Sequence, residues 1–316
     1  MNLPSLPKEP VHRTLPVLRD PDDAQLFAAE VRRVLPAISV SRVTGDFFPF
    51  GWQGDLDGWR GTVKHWITGV QTRREPLVCQ PGRAPLIATD KFSNGYFHWV
   101  TETLPRLWWL RDQLGTLELL LPAFARQSPY MGESLALFPD LATKIADAKT
   151  RWRLDSALLV PALAPTGNFR PQFVVEVGAA WRIRSGARAP YRKLYVSRSK
   201  AARRRISNEA ELVKVLKGQG FETVNLEGKP FADQVKLLAE TSHLISNHGA
   251  GLTNLLFMVP GTRVTEVRLR GDQHNNCYFS LARAVGVEYD YRLAGAVGRG
   301  SDSHSADLVV DSREFL

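Results

Sequence analysis

Cysteine is nearly absent: Cys79 and Cys277 are the only two in 316 residues. Two cysteines so far apart make no disulfide framework and match no metal-ligand spacing, so the expected setting is reducing and cytoplasmic. Long apolar runs are also missing. None reaches 18 residues, so no transmembrane helix is expected. The opening "MNLPSLPKEPVHRTLPVLRD" places prolines and charges where an export signal needs a continuous apolar core. Acidic residues are in the minority, 32 against 41 lysines and arginines, for a net charge of +9. That excess suits acidic partners: nucleotides, phosphates, or an anionic membrane touched peripherally. Zinc-finger spacing, basic-zipper heptads and an aromatic ribonucleoprotein signature are all lacking, so no nucleic acid is expected as partner. The Gly-Lys-Ser/Thr of a phosphate loop and the GxGxxG of a dinucleotide fold are lacking too, which sets aside kinase and dehydrogenase readings.

What is present is the length and alternation of two α/β domains. Residues 1–24 are proline-rich and read as an extended arm. Residues 25–187 form a first domain, in which "GYFHWVTETLPRLWWLRDQLG" predicts a helix from Tyr96 to Leu114 with a proline inside. After the composition break "SGARAP", residues 188–316 alternate regularly. "KLYVSR", "FETVNLEG", "HLISN", "TRVTEVRLR" and "VEYDYRL" read as strands, and "NEAELVKVLKGQG", "FADQVKLLAETS", "GLTNLLFMV" and "HNNCYFSLARAVG" as the helices between them. That is the sequence form of repeated βα units building a parallel sheet.

Several stretches carry chemistry. In "SNHGAGLTNLLFMVPGT", Asn247, His248, Gly249, Ala250, Gly251 and Asn254 fall where a strand hands over to a helix. Ligands of open α/β sheets bind at such ends; glycines let backbone amides approach an anion, and a helix N-terminus favours it. A tight turn with a satisfied histidine is the plainer reading. "YVSRSKAARRRISNEAEL" puts Arg198 and Lys200 at a strand end, ahead of a helix capped by Ser207 or Asn208. Arginine supplies forked donors to a diphosphate and lysine a mobile charge, although the acid-free run from Arg182 to Arg205 also reads as a solvated basic face. In "FHWVTETLPR", helical spacing stacks His98 on Glu102, with Arg106 a turn further on. A carboxylate beside an imidazole makes an oriented general base, against the plainer reading of a surface pair. Glu266 in "GTRVTEV" is placed to accept hydroxyls of a ribose or sugar. Asp55 and Asp57 in "GDLDGW" have Asp-x-Asp spacing, but flanking glycines and the lack of a preceding buried strand favour a turn, so no metal is expected.

Taken in order, "FHWVTETLPRLWWL", "YVSRSKAARRRISNEAEL", "GFETVNLEGKPFADQVKLLAETSHLISNHGAGLTNLLFMVPGTRVTEV" and "NNCYFSLARAVGVEYDY" resemble glycosyltransferase family 61. That family includes bacterial polysaccharide enzymes and eukaryotic xylan and O-linked sugar transferases, and the bacterial polysaccharide type is the expected kind. The similarity runs from about Asn94 to Asp290 and is most specific across Leu194 to Val267. It implies an α/β, GT-B-like architecture with two Rossmann-like domains facing across a cleft. It also implies an inverting, metal-independent transferase that needs no cofactor, because the nucleotide sugar (a UDP-sugar favoured) is a substrate. The acceptor would be a hydroxyl of a saccharide or lipid-linked glycan. By position, Arg198, Arg205, His248, Gly249, Gly251, Asn254 and Glu266 fall on the family's donor-side motifs, with Lys200, Asn247 and Ala250 beside them. His98, Glu102 and Arg106 fall on its N-terminal motif, where Asn94 joins Arg106 as acceptor or structural support. His98 is the expected base with Glu102 orienting it; Glu102 acting directly is the alternative. The rival from another class is a non-catalytic protein that binds nucleotides or acidic polymers through Arg182–Arg205.

Overall fold

The computed structural model of the protein describes residues 3–52, 71–272, 276–297 and 306–316; Asp55 and Asp57 lie outside the described residues. No helix among the described residues is long and apolar enough to cross a membrane. The chain is mixed α/β and divides into two compact units, Met1–Lys8 with Pro36–Leu163 and Glu9–Leu35 with Ala164–Leu316.

The first unit is built on one mixed sheet. Its spatial order is Ala142–Ile145, Leu117–Leu121, Ala84–Ile87, Thr150–Leu159, Ser41–Phe48 and Gly51–Trp52. The first four run parallel, and the last two join antiparallel. Leu117–Leu121 is buried along its whole length, Glu118 included, as a strand covered on both faces of a parallel sheet is. Phe47, Ile87, Leu120, Trp152 and Leu154 form its core. The helix expected from Tyr96 to Leu114 is broken into four pieces. Tyr96–His98 is α-helical, Trp99–Thr103 is a π turn, Leu104–Trp109 is α-helical again, and Arg111–Thr116 is 3-10. Pro105 is the cause: it has no N–H to give the carbonyl of Thr101, so the ladder slips by a residue and Leu104 N–H reaches back to Trp99.

The second unit carries a six-stranded sheet: β1 (Arg192–Val196), β2 (Phe221–Val224), β3 (Thr241–Asn247), β4 (Arg263–Leu269), β5 (Glu288–Ala296) and β6 (Leu308–Val309). Its spatial order is 2-1-3-4-5-6, with the first five parallel and β6 antiparallel at the edge. Between strands run α1 (Pro171–Ser185, preceding β1), α2 (Glu209–Gly218), α3 (Phe231–Ala239) and α4 (Cys277–Val285). Strand order reverses between β1 and β3, so their carboxyl ends flank a topological switch point.

Three local expectations change. The segment after Gly249 is a 3-10 helix, Ala250–Phe257, rather than an α-helix. Met258 already leaves it extended (φ −70°, ψ 155°), and so short a segment gains little from α-helical cooperativity. Asn208 occupies the cap position of α2 but makes no side-chain cap bond there. Its amide instead binds the carbonyl of Val310 at 2.8 Å, tying α2 to the segment after β6. Glu9–His12, expected within an extended arm, is a strand paired with Arg32–Leu35. The helix Ala24–Val31 before that partner strand inserts Phe27 among Phe279, Tyr289 and Tyr291, with centroids 5.0–6.0 Å apart. This burial places Glu9–Leu35 in the second unit, and α1 joins it too, so the composition break near residue 187 falls inside that unit.

Candidate functional site

In the first unit, the π turn positions a histidine–glutamate pair. His98 Nδ1 lies 3.2 Å from Glu102 Oε2, although without hydrogen-bond geometry. Glu102 is 7% exposed, and its Oε1 has no partner. A buried carboxylate oxygen left unpaired is costly, and such atoms gather at working sites rather than in structural cores. Phe92 stacks on the His98 ring and Phe97 meets its edge, each with centroids 5.2 Å apart. Below, Trp99 donates to Ser134 Oγ at 2.7 Å, which pins the turn. Arg106 is buried and donates to the Ala88 carbonyl at 2.9 Å and to Asp90 at 2.5 Å. Burial alone would raise the Asp90 carboxyl, but the Arg106 charge and hydrogen bonds outweigh it and hold Asp90 below its ordinary value. Arg106 therefore supports the loop that carries Phe92 and Asn94. Asn94 is exposed, and its carbonyl accepts from the Tyr130 hydroxyl at 2.9 Å.

In the second unit, several of the residues expected on the donor side lie at the switch point. Asn247 ends β3, His248 follows it, and Arg198 stands just past β1. A Cβ on Gly249 would meet Arg198 Nη1 at 2.4 Å, and one on Gly251 would meet Val196 Cγ1 at 3.1 Å. Both glycines therefore let the turn lie directly against the end of β1. Asn254 is buried beneath, its amide 3.3 Å from the Gly251 carbonyl and 3.4 Å from Gln234 Oε1, bracing the turn. Ala250 is exposed at the turn's tip.

The charge here is one-sided. Arg198 donates to the Arg203 carbonyl at 3.3 Å, while its Nε is buried without a partner, and no salt bridge links it to a carboxylate among the described residues. Burial first, then the charges of Arg204 and Arg203, push its guanidinium below the ordinary value. Arg204 has φ 56°, the left-handed region that a non-glycine residue occupies at a cost of about 1–3 kcal/mol, and such strain clusters at ligand clamps. Its carbonyl accepts from the Asn247 amide, whose own buried Oδ1 has no partner. Together these groups form a cationic recess with unspent donors and acceptors, suited to an anion with several oxygens.

Two expected ligands do other work. Arg205 is turned to Asp307, which it binds at 2.9 Å. Glu266 has no exposed surface, and both its oxygens are taken, one by His248 Nδ1 and one by the Tyr289 hydroxyl, each at 2.5 Å. It is the carboxylate behind His248, out of reach of a sugar or ribose hydroxyl. Burial raises its carboxyl, but His248 and Arg268 outweigh that and leave it below the ordinary value. Lys200 is exposed on the same loop as Arg198. Arg204, Tyr278 (centroid 5.0 Å from the His248 ring) and Tyr289 belong to the site but were not singled out in the sequence. Arg204 stood in the "RRR" run, whereas only strand register puts Tyr289 on the Glu266 face. Among the described residues, no three His, Cys, Asp or Glu side chains lie close enough to hold a metal ion.

A family model described as Glycosyltransferase 61 matches residues 96–265, just over half of the chain. Among curated proteins, the EGF domain-specific O-linked N-acetylglucosamine transferase of Bos taurus is 41% identical over 91 residues, 27% of this chain and 17% of that protein. The protein of the same name from Drosophila melanogaster is 38% identical over 98 residues, 30% of this chain and 18% of that protein. Protein O-linked-mannose beta-1,4-N-acetylglucosaminyltransferase 2 of Homo sapiens is 38% identical over 99 residues, 29% of this chain and 17% of that protein. The chain thus spans under a fifth of the length of the curated relatives it matches.

Proposed function

The chain belongs to glycosyltransferase family 61, and on that premise we propose that it transfers a sugar from a nucleotide-sugar donor to a hydroxyl of a glycan acceptor. One observation carries the reading: the cationic recess of Arg198 and Arg204 against Gly249, at the switch point of a 2-1-3-4-5 parallel sheet. A nucleoside diphosphate is the ligand whose charge and oxygens match it. The matched relatives are named for N-acetylglucosamine transfer, so UDP-N-acetylglucosamine is the first donor to try. They are animal enzymes; we keep a saccharide or lipid-linked acceptor of the bacterial polysaccharide type, met by a cytoplasmic enzyme at an anionic membrane surface, because the chain carries a net charge of +9.

The proposed chemistry is inverting and metal-independent, with a GT-B-like division of labour. The second unit holds the diphosphate, and the arginines and turn amides stabilise its charge as the sugar leaves. The first unit supplies the base: His98, oriented by Glu102, takes the acceptor hydroxyl's proton as its oxygen attacks the anomeric carbon. The unpaired Glu102 oxygen supports this dyad and also suits Glu102 as the base itself. Thermal-shift titration with UDP-, GDP-, dTDP- and CMP-sugars tests the donor half, since a ligand of the native state raises its melting temperature with concentration. Stabilisation by a UDP-sugar, with UDP released when acceptor is added, is expected. Stabilisation without turnover on any acceptor, or binding only to acidic polymers with steep salt dependence, would favour the non-catalytic alternative.

A further inference from the structure

Glu266 sits in the middle of β4 with no exposed surface, yet it faces neither a lysine nor a direct arginine ion pair. Its two oxygens are divided between His248 Nδ1 and the Tyr289 hydroxyl. Burying a carboxylate costs several kcal/mol unless its partners are well aligned, and here the alignment is spent on a histidine at the mouth of the recess. The parallel register pairs Val264 with Tyr289 and Glu266 with Tyr291, so Tyr289 and Glu266 share one face of the sheet. Arg268, two residues along β4, faces the same way but donates to Asn276 Oδ1 and to the Asp272 carbonyl. Tyr289 is in turn packed by Phe27 and Phe279.

Because Glu266 is held in its charged form, Nδ1 of His248 carries the proton between them. Nε2 is then the ring's remaining polar atom, and no hydrogen bond to it occurs among the described residues. Glu266 from β4 and Tyr278 from α4 contact the ring, Tyr289 from β5 holds the far oxygen of Glu266, and Arg198 from the loop after β1 lies against the adjoining Gly249.

We infer that Glu266 and Tyr289 are positioning residues that fix His248 with Nε2 outward, as a charged donor to a phosphate oxygen of the bound nucleoside diphosphate. The imidazolium would lie between two anions, the buried carboxylate behind and the phosphate in front. No proton need move to the phosphate: as the bond from the anomeric carbon to the phosphate oxygen breaks, its electron pair stays on that oxygen, and the Nε2–H bond to it strengthens. The inference rests on diphosphate binding by the second unit, as proposed above.

The test is nitrogen-15 NMR of histidine-labelled full-length chain, with UDP as probe, in the wild type and in Glu266→Gln and Tyr289→Phe. Circular dichroism confirms folding, and Tyr289→Phe stands in if Glu266→Gln fails to fold. In the wild type, UDP is expected to move the Nε2 resonance of His248. In Glu266→Gln that shift should be lost and UDP affinity should fall about tenfold; Tyr289→Phe should lie between. If UDP binds but the His248 resonances do not respond, or Glu266→Gln responds to UDP as the wild type does, the positioning role is overturned while the donor site stands. If no nucleoside diphosphate binds although the free ring keeps its proton on Nδ1, the proposed function falls, and the phosphate contact with it.

Discussion

Arg198 fills the space that a side chain at residue 249 would need: a Cβ there would be 2.4 Å from Nη1 and 2.9 Å from Cζ. Gly249→Ala is therefore expected to push the guanidinium out of the recess while leaving the sheet intact. Arg198→Ala should weaken UDP affinity by about 1.5–3 kcal/mol, the range for hydrogen bonds to charged groups. Gly249→Ala should cost a similar amount, and the double variant little more than either, since both remove one contact. Calorimetry of the three variants decides it; fully additive losses would mean that Gly249 acts through its own backbone.

In the proposed mechanism His98 and Glu102 divide one task. His98→Ala is expected to lower kcat by about 10²–10⁴, the usual size of a general-base contribution, with UDP affinity unchanged. Glu102→Gln should slow turnover less if Glu102 only orients the ring. A mild His98→Ala beside an inactive Glu102→Gln would move the base role to Glu102, and steady-state kinetics on the pair separates these outcomes.

Turnover is expected to continue in excess EDTA, because the proposed mechanism meets the diphosphate charge with Arg198, Arg204 and turn amides. Assays with and without chelator check this. Activity that is lost and then restored by Mn²⁺ would return attention to Asp55 and Asp57.

Asp90 gives a pH signature in stability. Its carboxyl is depressed in the folded state, so the stability it contributes is complete above the unfolded value of about 3.9 and is lost as pH falls through the lower folded value. Asp90→Asn leaves Arg106 buried without its anion, which should cost about 3–5 kcal/mol at pH 7. The gap between the two proteins should narrow as pH falls through that lower folded value, as followed by urea unfolding across pH.

The second unit was largely legible because its strands and helices alternate with distinct periods, and "NHGAG" falls where one period gives way to the other. The same reasoning could not see Pro105 turning a helix into a π turn, since helical spacing keeps His98 near Glu102 either way. Nor could it assign Glu266 correctly. A glutamate in a strand looks the same whether it faces a ligand or, as here, a tyrosine 23 residues away that only the sheet brings beside it. The ion pair of Arg205 was hidden for a related reason: its partner Asp307 lies 102 residues away.

That Arg205–Asp307 contact belongs to a larger anchor. Ile206 bridges to Leu308, Ser207 N–H binds the Leu308 carbonyl, and Asn208 holds Val310. The arginine loop is thus clamped at both ends, by β1 and by the β6 segment, with Ser199–Arg203 slung between. A loop with fixed ends tolerates changes in length at small cost, about 0.6 kcal/mol for each doubling. Its contour can therefore be rewritten by insertion or deletion without disturbing the sheet beneath. Nucleotide preference, if set by that contour, is free to diverge among sequences whose remaining motifs stay the same.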